Sequence, residues 1–487
     1  MSDRDALLEA LDVLRRAGDV EYAEVRFVED ESERLRVRDD ELENVETSES
    51  RGVGIRVISN GQWGFAATPS TRVSDVVAAA HTARDIARSS ARAGGDRVKL
   101  APVGAPARGR YATSVVRDPF SVPLDAKIEL LTRATAALRA RGKPIHRAEA
   151  RMGWTRARKI LVTSDGVDVE QKFTFGGAGM NCVARGGDGA VQQRSHPTRA
   201  DGEAGQGGYE RIERIDWIGN AERVAEEVSE LLRAEPMPAG RRTLIIESSQ
   251  LALQVHESCG HPTELDRAYG TEISLAGGSF LQPSMLGSFR YGSSIVNLAA
   301  DSTNVGGLGT FGWDDEGTPA GRHPLVREGQ FVGYLSSRET AARLGTASTG
   351  TMRADGFSRM PLIRMVNVNL EADPRGPSLE ELIADTDDGI FISTNKSWSI
   401  DDLRLNFQFG CEAAWEIKGG KRTRMFRDPL YTGITPDFWG ACDAICGPAD
   451  WKLWGVLNCG KGEPMQLMPV GHGTAPARFR NVEVGHG

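Results

Sequence analysis

The sequence has little cysteine, no long apolar run and no excess of positive charge, and each shortage excludes a class of protein. Six cysteines among 487 residues do not suggest a disulfide framework, so we interpret them as thiols or metal ligands. No uninterrupted apolar run approaches the roughly 18 residues of a membrane-spanning helix. The 59 basic residues are outnumbered by 67 acidic ones, and this formal net charge of −8 argues against nucleic acid as the main partner.

The first residues also lack the pattern of a secretory signal. Residues 1–5 read MSDRD, without a basic stretch followed by an apolar one. We therefore expect a cytoplasmic protein that does not associate with a membrane.

Apolar residues and glycine are plentiful. Hydrophobic residues make up 40% of the chain and glycine contributes 56 residues, which is enough for at least two domains with many tight turns. Strand-like and helix-like segments alternate in blocks, so we predict an α+β fold of two domains built on largely antiparallel sheets with flanking helices. The segment 235–240, EPMPAG, breaks every periodic pattern. It predicts a linker between an N-terminal α+β domain over residues 1–234 and a β-rich C-terminal domain over residues 241–487.

Local patterns near the N-terminus predict strands and a hairpin. The alternation over 22–28 and again over 33–37 predicts two separate strands. Asn60-Gly61 between two alternating runs predicts a tight β-hairpin. The charged run over 39–49 is interpreted as the solvated face of strands rather than a binding site.

The candidate chemistry lies in residues 255–262, VHESCGHP. His256 and His261 can offer neutral imidazole nitrogens to zinc, and Glu257 can take the proton of an activated water. The pattern H-E-x-x-x-H has one residue more than H-E-x-x-H, which places two histidines on one helix face. A hydrogen-bonded structural cluster is the alternative, and metal binding needs a third ligand from elsewhere.

The five-residue spacing of the two histidines is incompatible with a straight α-helix. At 3.6 residues per turn, positions five apart point about 140° away from each other. Either a π-type bulge absorbs the extra residue, or the helix ends at Gly260 and His261 returns from a non-helical position. The residue before a proline disfavours the α region, so Pro262 leads us to predict the second arrangement.

Cys459 is the best candidate for a third ligand. It directly follows a predicted strand, which would aim its side chain, and Lys461 would favour the thiolate that binds metal. Cys442 and Cys446 form a rival pair, and Cys259 lies inside the motif itself. Spacing alone does not decide among them.

Several segments together resemble the TldD/PmbA family of metallopeptidases. They are the H-E-x-x-x-H stretch and residues 52–57 (GVGIRV), 61–65 (GQWGF), 315–319 (DEGTP) and 459–462 (CGKG). The resemblance covers nearly the whole chain. It implies that His256, His261 and Cys459 hold Zn²⁺, that Glu257 is the general base, and that the chain is of the catalytic, TldD type.

The resemblance also implies a substrate class and a partner. Members of this family pair as dimers around an internal chamber and act on unfolded or short peptides. We therefore expect a peptide substrate, a dimer and chamber formed by the N-terminal domain, and either a homodimer or a heterodimer with a TldE/PmbA-type paralogue. Arg364 lies in a segment similar to one of the family, 364–367 (RMVN). It is expected to bind a peptide carboxylate or carbonyl, or to form a structural salt bridge.

The combined expectation is hydrolysis of unfolded or short peptides by water that zinc and Glu257 activate. Two alternatives stay open. One is a cysteine hydrolase with Cys259 as nucleophile and a neighbouring histidine as base. The other is a non-catalytic, metal-stabilised scaffold or regulatory partner, since the family has an older description as a gyrase modulator.

Overall fold

The computed structural model of the chain has an α+β architecture. It describes residues 2–105, 107–140, 144–199, 202–275 and 277–485. Two large, mainly antiparallel sheets carry helices on their faces, which confirms the predicted fold class. Among the described residues, no helix combines the length and the apolar character needed to cross a membrane.

The helices are short in the C-terminal half and longer in the N-terminal half. Within the described ranges they are α1 Asp3–Arg16, α2 Val73–Ala93, α3 Leu124–Ala140, α4 Glu210–Glu213, α5 Trp217–Leu231, α6 Ser248–Val255, α7 Leu265–Ala268, α8 Arg338–Leu344, α9 Leu379–Ala384 and α10 Thr435–Gly440.

The strands of the N-terminal half are β1 Val20–Arg38, β2 Glu41–Ser59, β3 Gln62–Thr68, β4 Arg108–Ala112, β5 Ile145–Thr163, β6 Asp168–Arg185, β7 Val191–His196 and β8 Glu203–Gln206. Those of the C-terminal half are β9 Glu235–Pro236, β10 Gly240–Ile246, β11 Leu298–Asp301, β12 Arg322–Arg327, β13 Gln330–Phe331, β14 Met352–Arg353, β15 Leu362–Ile363, β16 Val368–Leu370, β17 Asp388–Ile400, β18 Asn406–Lys418, β19 Lys421–Arg427, β20 Leu430–Ile434, β21 Cys442–Ile445, β22 Lys452–Lys461, β23 Gln466–Thr474 and β24 Ala477–Val484.

The first sheet has the order β3-β2-β1-β5-β6-β4, with β7 and β8 also paired to β6. Long stretches of its inner strands are buried, such as residues 22–28 of β1 and 52–59 of β2. Helices α1 and α2 cover one part of the sheet, where Leu7 and Phe27 belong to one core cluster. Helices α3 and α5 cover another, where Leu131 and Trp154 are buried. The predicted hairpin at Asn60-Gly61 joins β2 to β3, and both of its residues have positive φ.

Five strands of the second sheet close into a barrel. They pair in the order β17-β10-β24-β20-β18, and β18 pairs back with β17. Helix α6 packs against this barrel through buried polar contacts. Gln250 donates to the Tyr431 hydroxyl over 2.9 Å, and that hydroxyl donates to Gln254 over 2.9 Å. The barrel therefore fixes the helix that leads to His256.

Buried charges join the two halves of the chain. Arg56 on β2 donates to Glu24 on β1, and also to Glu316, at 2.9 Å in each case. All three side chains are almost fully buried. Because isolated buried charges are strongly unfavourable, this pairing fixes the loop of Glu316 against the first sheet.

Close backbone approach explains the glycine at position 54. A Cβ on Gly54 would lie 2.3 Å from the carbonyl oxygen of Phe357, so only glycine fits without a shift of the backbone. Through the ion pair of Arg56 with Glu316, the segments 52–57 and 315–319 meet inside the molecule. Both segments belong to the family resemblance, and this contact gives them a structural role. The division of the chain at residues 235–240 stays a prediction.

Candidate metal centre

His256 and His261 lie where helix α6 changes its winding. After α6 ends at Val255, His256–Gly260 form a turn of π-helix and His261–Thr263 a turn of 3₁₀-helix. The wider π-turn accommodates the extra residue of H-E-x-x-x-H, and the two imidazole centroids are 4.8 Å apart. The π-type bulge is therefore correct, and the predicted helix end at Gly260 is wrong.

Hydrogen bonds keep the backbone of His261 helical, although the residue before a proline disfavours the α region. His261 keeps helical angles, φ −62° and ψ −46°, and its backbone N–H donates to the carbonyl of His256. Pro262 lies in the first turn of the 3₁₀-helix, where its missing N–H is tolerated. The Thr263 hydroxyl donates to the carbonyl of Cys259 over 2.8 Å. These contacts hold the chain in helical geometry past the residue that we expected to break it.

Cys459 reaches the two histidines from a distant hairpin. It lies within β22 opposite Met468 of β23, beside an irregularity in the pairing of these strands, rather than after the strand as predicted. Such bulges change the direction of side chains. The Cys459 Sγ is 3.8 Å from His261 Nε2, and one ligand atom from each of His256, His261 and Cys459 lies within 4.8 Å of the others.

No other such group occurs in the described part of the chain. There, His256, His261 and Cys459 form the one set of three or more His, Cys, Asp or Glu side chains placed to share a metal. Cys442 and Cys446 are buried in the C-terminal core. The structure thus brings together the three residues that the sequence analysis selected.

His261 is oriented by a buried carboxylate. Its Nδ1 lies 3.1 Å from Glu264 Oε2, which also accepts a bond from Arg267 Nε over 2.7 Å and lies 3.4 Å from Lys461 Nζ. Burial acts to raise the pKa of Glu264, but Lys461 and Arg267 outweigh it and hold this pKa well below its ordinary value. The carboxylate therefore accepts a hydrogen bond from His261 Nδ1–H, which leaves Nε2 facing Cys459.

The surroundings of Cys459 favour its thiolate. Burial would raise the pKa of this thiol, but His261 and Arg364 outweigh burial and lower the pKa below its ordinary value. Lys461, which we expected to do this, instead donates to Asp266 and to the carbonyl of Ile363. The cation that helps the thiolate is therefore Arg364.

The surroundings of the two histidines disfavour their charged form, which cannot bind metal. Burial is the largest effect on both, and it lowers the pKa of His256 and of His261. His256 Nδ1 lies 2.8 Å from Nε2 of a third buried histidine, His472 on β23. His472 was not predicted from the sequence, because a lone histidine between two glycines carries no spacing signal.

Glu257 is buried and paired with an arginine. Its Oε2 accepts a bond from Arg404 Nη1 over 2.9 Å. Arg404 has a left-handed backbone, φ 65°, in a turn where its N–H donates to the carbonyl of Asp401. Strained backbone of this kind is often found at functional sites. The sequence analysis did not select Arg404, since only the tertiary fold brings it to Glu257.

Arg364 is buried and makes two hydrogen bonds to the backbone of the β22–β23 hairpin. It is 1% exposed, and its guanidinium donates to the backbone carbonyls of Cys459 and Gln466. These bonds fasten both strands of the β22–β23 hairpin. The expected contact of Arg364 with a peptide stays a prediction.

Cys259 is poorly suited to act as a nucleophile. Its side chain is fully buried in the apolar core of the C-terminal half, and burial raises the pKa of its thiol. A protonated, enclosed thiol is a weak nucleophile. This geometry disfavours the cysteine hydrolase alternative.

Comparison with known families agrees with this site. Residues 23–87, 117–234 and 239–486 match the sequence models of domain 1, the central domain and the C-terminal domain of the PmbA/TldA metallopeptidases. The chain belongs to the PmbA/TldD family of metallopeptidases. The match over 239–486 contains all three residues of the His/His/Cys cluster together with Glu257.

One relative and one solved structure cover nearly the whole chain, and a second relative covers about half of it. A metalloprotease of Methanothermobacter thermautotrophicus is 29% identical over 96% of this chain and 96% of its own length. A zinc metalloprotease TldD homolog of Saccharolobus solfataricus is 22% identical over 52% of this chain and 54% of its own. TldE of Thermococcus kodakarensis superposes with a TM-score of 0.71 at 18% identity, over 99% of this chain and all of that one. At this identity the TldE structure supports the fold alone.

Proposed function

We propose that this protein is a zinc-dependent peptidase that hydrolyses unfolded or short peptides. The observation that carries the proposal is the convergence of His256, His261 and Cys459, whose ligand atoms lie within 4.8 Å of one another in a buried position. Membership of a metallopeptidase family and the name of the zinc metalloprotease relative support it.

The donor set fits zinc. Two neutral imidazoles and one thiolate are the nitrogen and sulfur ligands that Zn²⁺ prefers, and three protein ligands are the usual number at a catalytic site. Zinc bound by this cluster would supply a Lewis acid beside the scissile carbonyl. The lowered pKa of Cys459, under His261 and Arg364, supports the thiolate form that such binding requires.

Glu257 is the proposed general base. It follows His256 directly, within the same π-turn, so the turn that presents one ligand also presents the carboxylate. Its bond from Arg404 fixes the orientation of one oxygen, Oε2, and Oε1 is the atom that we expect to accept the proton of the attacking water.

A cavity bordered by the β22–β23 hairpin supports a peptide substrate. It encloses about 690 Å³ between the first sheet and the loops of the C-terminal half, and Trp154, Phe173 and Met468 line it. Met468 pairs with Cys459 across the β22–β23 hairpin, so the cavity extends to the hairpin that supplies the sulfur. We propose that it holds an extended peptide segment and that the protein acts in the cytoplasm as a homodimer or with a TldE-type partner.

Metal analysis combined with peptide digestion tests the proposal. We expect one zinc per chain and cleavage of an unfolded protein substrate, assayed with and without a TldE-type partner, that a chelator abolishes and zinc restores. Cleavage that resists the chelator but stops on thiol alkylation would support the cysteine hydrolase. Bound zinc without cleavage in either assay would support the scaffold.

A further inference from the structure

We propose that His472 is a positioning residue that fixes the tautomer of His256, so that His256 presents its Nε2 lone pair to the metal. The inference rests on the zinc site proposed above and adds a residue to it. It follows from a chain of hydrogen bonds that begins at a backbone carbonyl on β16 and ends at the metal cluster.

The carbonyl of Val368 determines which nitrogen of His472 carries the proton. His472 Nδ1 lies 3.0 Å from Val368 O, and a carbonyl oxygen can only accept. Nδ1 must therefore be the N–H donor. His472 is fully buried, and its ring contacts a backbone carbonyl and an imidazole rather than a carboxylate, so the uncharged ring is the favoured form. A neutral imidazole has one N–H, so Nε2 of His472 is an acceptor.

This acceptor in turn determines the state of His256. His256 Nδ1 lies 2.8 Å from His472 Nε2, so Nδ1 must donate. Nε2 is then the nitrogen of His256 that has a free lone pair. Imidazole binds metal through such a lone pair, and the hydrogen bond at its other nitrogen sets the tautomer and the ring orientation.

The two metal histidines are thus oriented by different groups. His261 donates to the carboxylate of Glu264, whereas His256 donates to a neutral histidine. His472 lies on β23, which pairs with the strand of Cys459. The β22–β23 hairpin therefore supplies one candidate ligand through its sulfur and orients a second through His472, and a displacement of the hairpin would disturb both.

Two substitutions separate the acceptor from the packing of the ring. His472→Phe fills the space but removes both hydrogen bonds. His472→Gln retains an amide N–H for Val368 O and a carbonyl oxygen that can accept from His256. His323→Phe is the matched control, since His323 lies on β12 and packs beside Gly321.

The readout is the zinc dissociation constant, measured by competition with a chromophoric chelator. We expect His472→Phe to raise it about 10- to 100-fold, His472→Gln to recover most of that loss, and His323→Phe to leave it unchanged. Equal zinc affinity in wild type and His472→Phe would overturn the role of His472 while the zinc site stands. A Gln variant as weak as the Phe variant would also overturn it.

A spectroscopic readout does not depend on whether a variant folds. In the metal-free wild type labelled with ¹⁵N-histidine, we expect the His256 ring to carry its proton on Nδ1. A proton on Nε2 contradicts the proposal. A wild type that binds no zinc would contradict the proposed function instead, and the tautomer of His256 would still decide the role of His472.

Discussion

His256, His261 and Cys459 are buried, and burial acts on the pKa of each. It lowers the pKa of both histidines, which disfavours the charged imidazoles. For Cys459 it acts the other way, and His261 with Arg364 reverses it. The pKa of each of the three side chains is thus shifted in the direction that the proposed metal binding requires.

Glu257→Gln tests the base without removing a ligand. The amide cannot accept the proton of water, so we expect peptide hydrolysis to fall by roughly 100-fold or more, while zinc content and zinc affinity stay unchanged. Steady-state hydrolysis and metal analysis on the same preparation measure both. Glu483→Gln on the exposed surface of β24 is the control. Hydrolysis at the wild-type rate would remove Glu257 from the mechanism.

At the level of single residues, the sequence predicted the residues that belong to a motif. It did not predict the residues that hydrogen-bond to them or alter their pKa. His256, Glu257 and His261 stand in one short pattern, and the family resemblance selected Cys459. His472 has no such signal, because its role depends on the pairing of β23 and on a carbonyl of β16. For the same reason Arg404 at Glu257, and Arg364 in place of Lys461 at the thiolate, emerged only from the structure.

The π-turn at His256–Gly260 is the element on which the site depends. The sequence restricted it to two arrangements, and the local preference of the residue before Pro262 favoured the wrong one. That preference is a tendency of single residues. Hydrogen bonds within the turn, together with the packing of Gly260 against Met365, decide the outcome, and none of them can be read from neighbouring residues alone.

Gly260→Ala tests the packing of this turn. A Cβ at Gly260 would lie 2.0 Å from Met365 Sδ, so we expect a loss of about 1–3 kcal/mol in the free energy of unfolding together with weaker zinc binding. Denaturant titration and chelator competition measure the two effects. Gly440→Ala, where the new Cβ meets nothing within 4 Å, is the control. Unchanged stability and zinc affinity in Gly260→Ala would contradict this account.

Strand β1 shows a second limit of local patterns. The alternation predicted two strands, over 22–28 and 33–37, because the polar residues 29–32 interrupt it. The structure has one strand, Val20–Arg38, paired with β2 on one side and β5 on the other along most of its length. Backbone pairing on both edges keeps the strand continuous where the apolar pattern fails.

An ion pair between a residue of α5 and a residue of β7 predicts that the stability of the fold depends on pH. Glu227 on α5 accepts from Arg194 on β7 over 2.7 Å. Burial would raise the pKa of Glu227, but Arg194 and Arg223 outweigh it and the pKa is lowered. A lowered folded-state pKa stabilises the fold above the unfolded-state pKa of about 4.3, and this contribution is lost as pH falls through the folded-state value.

Glu227→Gln should remove this contribution. At pH 7 we expect the free energy of unfolding to fall by about 2 kcal/mol, and we expect the difference from wild type to shrink below pH 4. Denaturant titrations at both pH values measure it. Glu230→Gln, at an exposed position of the same helix, is the control. A difference that stays constant over this pH range would argue against the ion pair.

At the scale of the whole molecule, the fold class could be predicted and the closure of the barrel could not. Strands and helices in separate blocks indicated antiparallel sheets. The barrel needs the parallel pairing of β10 with β17 and the return of β24 to β10. These pairings join segments far apart in the chain, and nothing in the local sequence encodes them.

Removal of the metal should lower the stability of the whole C-terminal half. The proposed ligands come from the end of α6 and from the β22–β23 hairpin, so zinc would link two segments distant in sequence. A ligand present at about 1,000 times its dissociation constant stabilises the fold by roughly 4 kcal/mol. We expect a chelator to lower the melting temperature of the wild type but not that of Cys459→Ser. Equal decreases of the melting temperature in the wild type and in Cys459→Ser would contradict the proposed link through zinc.

Cobalt substitution is the most direct test of the central claim, that the Cys459 sulfur and the two imidazoles meet at one cation. Cobalt(II) in the wild type should show a thiolate-to-metal charge-transfer band in the near ultraviolet. We predict that Cys459→Ser loses this band and that Cys442→Ser and Cys446→Ser keep it. A band that persists at full intensity in Cys459→Ser would show that another sulfur, or another site, binds the metal.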